Sequence, residues 1–332
     1  MSSVVSTQLS MKESKVLIVG ASPDRVNHNA VMRRFVLNGF SALMGSEHVN
    51  QCSLENAVFT IKLTRPKLVV CFGSCMPDMS NYGPMRDICS KLNIGIAFWL
   101  HDDPYEFDFS FRATDVADWI FSNDRWTSFH YEHPKTFFLP MAACPWTHYR
   151  EWNPNKNLDI LFCGVAFNNR VQILRDLNSY IQKQHSQIYG ENWPVDICAA
   201  KNIRVSNSIL THLYSTSWVS IYMGRDLHLA NKRFQLDPST PGPRLFEAAM
   251  AGTVQICFVD SLEVLDYFEL GKEILIFDNP KDFELQVADI LESPNKAKEI
   301  AMAAQQRALN DHTYTDRARR ILKCCEMEHL LT

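Results

Sequence analysis

The sequence predicts an α/β protein of two tandem domains, each an open parallel sheet covered by helices. Three observations carry this. The chain has 332 residues, enough for two cores of ordinary size. Short β-rich runs alternate with helical stretches along its whole length, which implies parallel strands joined by helical crossovers. Near the middle, residues 145–157 (PWTHYREWNPNKN) are polar and aromatic with two prolines, as a linker would be.

Taken in order, strands are expected at 15–20, 41–44, 67–72, 94–100, 119–122 and 136–139, and helices between them near 29–37, 54–63 and 85–92. After the linker the alternation resumes, with strands at 158–163, 195–198, 218–222, 254–259 and 274–277. Helices are expected near 170–183, 207–214, 244–251, 280–291 and 296–309, and a last one at 314–331 carries Arg317, Arg319, Arg320 and Lys323. The implied limits are a first domain at 1–150, a second at 151–312 and a tail at 313–332.

Composition narrows the class. An apolar share of 46% fits full cores, and a net charge of −4 supplies no long-range attraction to nucleic acid or anionic lipid. The ten cysteines lack C-x-x-C pairs; Cys71 and Cys75, or the adjacent Cys324 and Cys325, match neither a zinc knuckle nor a disulfide framework. Reduced thiols are the simplest account. The first fifteen residues read as no signal peptide and no run approaches eighteen apolar residues, so a cytoplasmic location is expected.

The most informative segment is 238–260, PSTPGPRLFEAAMAGTVQICFVD. It reads as a proline-rich loop, a helix, a glycine stop at Gly252 and a buried strand. Arg244 and Glu247 are three apart and share a helix face. A helix N-terminus suits a phosphate, an arginine there can fork onto phosphate oxygens, and a carboxylate one turn in can accept from a ribose diol. Those parts would bind a nucleoside diphosphate. The same segment also reads as an ordinary β/α connection with a surface ion pair.

Other candidates sit where strands end. His101, Asp102 and Asp103 follow the apolar run 94–100, placed for general-base chemistry, with a capping aspartate and a loop acid as the alternative and a metal site as a third reading. Gly164 closes the first strand of the second domain and Arg170 opens the next helix, so a close backbone approach and a phosphate-neutralising cation are available there. Tyr222 and Arg225 end another strand and offer a stacking ring or a second phosphate ligand, with an ordinary strand-end loop as the alternative. The loop Gly20-Ala21-Ser22-Pro23-Asp24 is no dinucleotide fingerprint, and no P-loop, G-x-S-x-G elbow or H-E-x-x-H occurs.

Together these residues resemble a GT-B glycosyltransferase of the kind grouped with the CgeB-like spore-maturation proteins. The resemblance is strongest over 158–331, through Cys163-Gly164 and Arg170, Tyr214 and Ser217-Trp218-Val219-Ser220-Ile221, Pro243-Arg244-Leu245-Phe246-Glu247-Ala248, Gly252, Gly271-Lys272-Glu273-Ile274, and His312-Thr313-Tyr314 with Arg317. In the first half, Trp99-Leu100-His101-Asp102-Asp103-Pro104 is similar to the family's W-x-x-D-x-P segment, and Leu139-Pro140 to its domain-ending L-P. The resemblance implies a nucleotide-sugar donor, UDP-sugar first, bound by the second domain, with Glu247 on the ribose and Arg244, Arg170 and the Gly164 backbone at the diphosphate. It implies no metal or other cofactor, Asp102 as the acceptor-side base, and a final helix that returns to the first domain, for which Ala318, Ile321 and Leu322 supply apolar positions. The acceptor stays open among a protein, an envelope glycan, a small metabolite and modified DNA. Many retaining members place a glutamate eight residues before the ribose-binding one; here that position is Ser239, which leaves the stereochemical course open. A nucleotide-sugar epimerase of the same fold, or a binding module without turnover, are the alternatives.

Overall fold

The computed structural model describes residues 14–26, 30–77 and 80–331, with nothing said of the side chains of residues 261 and 262. Two sheets form, and every strand pair in them is parallel. The first contains β1 (Val16–Gly20), β2 (Val49–Cys52), β3 (Leu68–Gly73), β4 (Gly95–Leu100), β5 (Trp119–Ser122) and β6 (Thr136–Phe138), in the order β2-β1-β3-β4-β5-β6. The second contains β7 (Leu158–Cys163), β8 (Ser186–Tyr189), β9 (Ser217–Tyr222), β10 (Val254–Phe258) and β11 (Leu275–Phe277), in the order β11-β10-β9-β7-β8. Strands β1 and β3 are wholly buried apolar runs because helices cover both faces, and each sheet has a hydrophobic core on either side.

Helices α1 (Ala30–Met44), α2 (Ala57–Thr64), α3 (Gly83–Leu92), α4 (Phe111–Thr114) and α5 (Arg125–Ser128) belong to the first half. Helix α6 (Pro145–His148) lies within the segment read as a linker. In the second half are α7 (Asn168–Ile181), α8 (Asn207–Ser215), α9 (Pro243–Met250), α10 (Pro280–Glu292), α11 (Pro294–Asp311) and α12 (Tyr314–Cys324). Among the described residues no helix is long and apolar enough to cross a membrane.

Two strand expectations are corrected. Residues 41–44 are the last turn of α1, because Val36, Phe40 and Met44 continue a buried stripe at four-residue spacing. The strand belongs at Val49–Cys52 instead. Residues 195–198 form a turn, with Val195 98% exposed, and the edge strand is Ser186–Tyr189, where Ile188 alone is fully buried and no apolar run marks it. The final helix is also shorter than 314–331: α12 stops at Cys324, Glu326 takes a left-handed φ of 57°, and a 3-10 turn follows at Glu328–Leu331.

Two chain crossings join the halves. Residues 139–144 leave the first sheet beside 312–314, which return: the Ala143 N–H donates to His312 O (3.0 Å) and the Tyr314 N–H to Ala143 O (3.2 Å). Buried Arg317 donates to Pro140 O (2.8 Å), Met141 O (3.0 Å) and Asp311 O (3.1 Å), fixing that crossing. Helix α12 starts at a capping box of Thr313 and Asp316, and its Tyr314, Ala318, Ile321 and Leu322 enter the first-domain core beside Phe35, Phe40 and Trp99. A second contact comes from the stretch between β9 and α9. Asp108 N–H donates to Ala230 O and Ala230 N–H to Tyr105 O (both 2.8 Å), Asp108 accepts the N–H groups of Lys232 and Arg233, and Leu236 is buried in a first-domain cluster. The carboxyl ends of both sheets line a shared cleft between them.

Candidate active site between the two sheets

That cleft holds a cavity of about 620 Å³. The first domain lines it with Met32, His101, Asp102, Tyr105 and Asn123. The second contributes the β7 end at Gly164, the β9 end at Tyr222–Arg225, the loop 237–242, and Arg244 and Glu247 of α9.

Helix α9 begins where the sequence demands it. Gly242 is its N-cap in extended conformation, Pro243 fills the first turn, and Gly252, at φ 76°, turns the chain into β10. The Tyr222 hydroxyl accepts the Gly242 N–H (2.7 Å), so that tyrosine holds the loop. Glu247 is 3% exposed and accepts a hydrogen bond from Arg244 Nη1, while His148 Nε2 stands 3.7 Å from its other oxygen. His148 Nδ1 accepts the Cys144 N–H (2.9 Å), which leaves the proton of the neutral ring on Nε2, toward Glu247. Burial would raise the Glu247 carboxyl, but Arg244 and then His148 outweigh it and hold it below its usual range. Burial also lowers His148. The arrangement is a fixed carboxylate, backed on one side, beside a helix N-terminus and a half-exposed guanidinium.

Arg170 reaches the cavity with its donors committed: Nε to Gly224 O (2.9 Å), Nη1 to Val165 O (3.2 Å) and Nη2 to Met223 O (3.0 Å). It knits the β7 and β9 ends together, and burial, then Arg225 nearby, lower it to about 10. Arg225 lies over the Tyr105 ring (4.3 Å) and 3.7 Å from Asp102, spanning the cleft. A Cβ at Gly164 would stand 2.8 Å from Arg170 Nη1, so a side chain there would require that guanidinium to move. The nearby Gly190, at φ 142°, would place a Cβ 1.8 Å from Gly164 O.

The three neighbours after β4 separate into distinct environments. His101 is buried at the cavity wall with Nδ1 3.2 Å from Asp102 Oδ2, and its Nε2 has no hydrogen-bond partner. Burial would lower its pKa, but the Asp102 carboxylate more than offsets that and raises it. Asp102 is driven the other way, to about 2: burial opposes ionisation, but His101 and then Arg225 favour it more strongly. Asp103 turns away from the cavity lining. Its Oδ2 accepts from the hydroxyls of Ser122 (2.6 Å) and Tyr131 (2.8 Å), and burial pushes it up to about 8 against those hydrogen bonds. Asp103 thus lies outside the cavity lining that His101 and Asp102 share. Beneath the site Glu106, held by Ser74 Oγ (2.5 Å) and the Cys75 N–H (2.8 Å), is raised to about 7 by burial and then by Asp102.

Three contributors escaped the sequence. His148 lay in a stretch whose polarity and prolines spoke for a linker. Asn123 and Asp124 follow β5 just as His101 and Asp102 follow β4, so the rule that ligands gather beyond strand carboxyl ends would have admitted them. Among the described residues no group of three or more His, Cys, Asp or Glu side chains is disposed to hold a metal ion.

Residues 170–323 match the model of a family described as glycosyl transferase-like. No protein of curated function matches the sequence. Solved structures match over nearly the whole chain. The sucrose-phosphate synthase of Thermosynechococcus elongatus superposes with a TM-score of 0.61 at 10% identity, covering 96% of this chain and 100% of that one. Anabaena HepE, solved with UDP and glucose, gives 0.64 at 9% identity, covering 95% and 100%. A Listeria monocytogenes protein assigned as a UDP-N-acetylglucosamine 2-epimerase gives 0.57 at 11% identity, covering 96% and 98%. The fold is thus the GT-B type, two Rossmann-like domains facing across a cleft.

Proposed function

We propose that this protein is a glycosyltransferase that moves a sugar from a nucleoside-diphosphate donor, UDP-sugar first, to a hydroxyl acceptor, with CgeB-like proteins as its kin. The observation that carries the reading is the opposition across one cavity of two built groups: Arg244 and Glu247 at the start of α9, and the His101–Asp102 pair after β4. Glu247 accepts from the ribose hydroxyls. The α9 N-terminus, Arg244 and Arg225 face the diphosphate and stabilise the charge that grows on it as it leaves. Arg170 shapes that pocket from behind.

On the acceptor side the structure favours His101 over Asp102 as the base. A carboxyl held near 2 binds a proton weakly, whereas the imidazole, raised by the adjacent carboxylate, holds one more strongly. His101 Nε2 takes the acceptor's hydroxyl proton as that oxygen bonds to the anomeric carbon. The bond from that carbon to the diphosphate oxygen breaks, and its electron pair departs with the nucleoside diphosphate. Asp102 orients the ring and stabilises its charged form. Ser239 offers no carboxylate on the donor side, which fits direct displacement with inversion.

The test is incubation with a panel of labelled UDP-, GDP-, CDP- and dTDP-sugars, with and without hydroxyl acceptors. Transfer, or slow donor hydrolysis with no acceptor, supports the proposal. Release of a sugar epimerised at one carbon replaces it with an epimerase, and tight binding without turnover with a binding module.

A further inference from the structure

Asp124 follows β5 and is 1% exposed, yet half of its hydrogen bonding is spent on the other domain. Oδ1 accepts from the backbone N–H and hydroxyl of Thr127 (2.8 and 2.7 Å), capping α5. Oδ2 accepts the Ser239 N–H (2.7 Å), the Ser239 hydroxyl (3.2 Å) and the Thr240 N–H (2.9 Å). The loop so held runs two residues further into Gly242, the N-cap of α9, and hence to Arg244 and Glu247. Around this carboxylate the Arg125 N–H donates to Thr240 Oγ1 (2.9 Å) and the Trp126 N–H to Ser239 Oγ (3.2 Å). The Arg125 side chain pairs with Glu263 (3.4 Å) and Asp266 (2.8 Å). The preceding residue, Asn123, lines the cavity and accepts the Asp103 N–H (3.0 Å). One turn of the first domain thus sets both the acceptor wall and the position of the donor loop.

We infer that Asp124 is a positioning residue: it latches the 239–242 loop to the first domain and so fixes the distance between the donor group on α9 and the acceptor-side base. A carboxylate suits this task because every group facing it is a donor. In Asp124→Asn either orientation of the amide sets an N–H against backbone N–H groups, on Thr127 or on Ser239 and Thr240. The donor domain keeps its own fold and its nucleotide contacts, but the two halves of the site lose register.

The experiment compares the full-length parent with Asp124→Asn and Arg125→Ala, at a temperature where circular dichroism is unchanged. For Asp124→Asn the affinity for UDP stays within about threefold while kcat for UDP-sugar turnover falls at least about tenfold, since a small misplacement of reacting groups is costly. Arg125→Ala, which trims the outer half of the latch, shows the same split at about threefold in kcat. Hydrogen exchange of the 239–247 segment, followed without any substrate, accelerates in both. Loss of UDP affinity in step with kcat, or an unaltered kcat in a folded variant, overturns the assignment. If Asp124→Asn fails to fold, Arg125→Ala decides by the same criteria. The kinetic arm rests on the glycosyl-transfer reading; if the parent turns over no nucleotide sugar, that reading fails, and unaltered exchange at 239–247 separately overturns the latch.

Discussion

His101 Nδ1 stands 3.2 Å from Asp102 Oδ2 at the cavity wall, and the opposite ring nitrogen has no partner. A ring anchored at one nitrogen, with the other buried and unpaired, is oriented for proton transfer once an acceptor reaches it. His101→Ala should therefore lower kcat by about a hundredfold or more, within the range of general-base contributions. UDP affinity should remain unchanged. Asp102→Asn should cost less, because the ring remains, and should move the rising limb of the pH–rate profile to lower pH. The shift follows from the sign: the carboxylate raises His101, and its removal lets burial lower it. Titration of kcat/KM against pH for both variants checks this.

Glu247 should prove indispensable for the donor. Its replacement by alanine removes the ribose acceptor, leaves the Arg244 guanidinium without its partner and takes the carboxylate away from His148. UDP affinity should fall at least about tenfold, as expected for loss of a charged hydrogen-bonding group. Stability should fall by about 1–3 kcal/mol from the unpaired buried polar groups. Calorimetric titration with UDP, alongside urea unfolding, measures the two effects separately.

The arginines should divide by role. Arg244→Ala should reduce affinity for UDP far more than for uridine, if the guanidinium beside the α9 N-terminus neutralises the diphosphate as proposed. Arg170→Ala should do otherwise, since its guanidinium holds the carbonyls of Val165, Met223 and Gly224. It should lower the melting temperature and weaken UDP and uridine alike. Paired titrations with both ligands discriminate the two.

How much was legible in the sequence follows from what each residue must satisfy locally. The loop, helix and glycine stop around Arg244 and Glu247 were readable because proline, helix periodicity and left-handed glycine are local constraints. The strand at 186–189 was not, since an edge strand with one buried side chain carries no apolar run. Residues 41–44 misled for the converse reason: a short apolar run looks alike in a strand and in a final helical turn. His148 and Asp124 were hidden because their partners, Glu247 and Ser239–Thr240, lie about a hundred residues away, and only the crossing of the chain brings them together.

The return of α12 to the first domain depends on Gly39. A Cβ at that position would lie 2.3 Å from Tyr314 O and 2.9 Å from Tyr314 Cβ, so α1 and α12 touch through backbone. Gly39→Ala should destabilise by about 1–3 kcal/mol, the usual cost of overpacking. The helical propensity gain of alanine offsets less than this. Chemical denaturation should show a lower midpoint.

Asp103 makes the pH dependence of stability testable. Its folded pKa of about 8 lies far above its ordinary value of 3.8, because burial favours the neutral acid. Between those two values the folded state holds a proton that the unfolded state has released. Stability then falls as pH rises through that window, and the loss is complete above the folded value. Glu106, raised from 4.5 to about 7, adds to the same slope over a narrower range. Asp103→Asn keeps an oxygen for the hydroxyls of Ser122 and Tyr131 and removes the titration. Parent and variant should therefore be closest in stability near pH 4. Above it the variant's advantage should grow until about pH 8 and then level off. Melting temperatures measured at intervals from pH 4 to 9 check this, and a constant difference across the range would show that Asp103 ionises in the folded protein as it does in water.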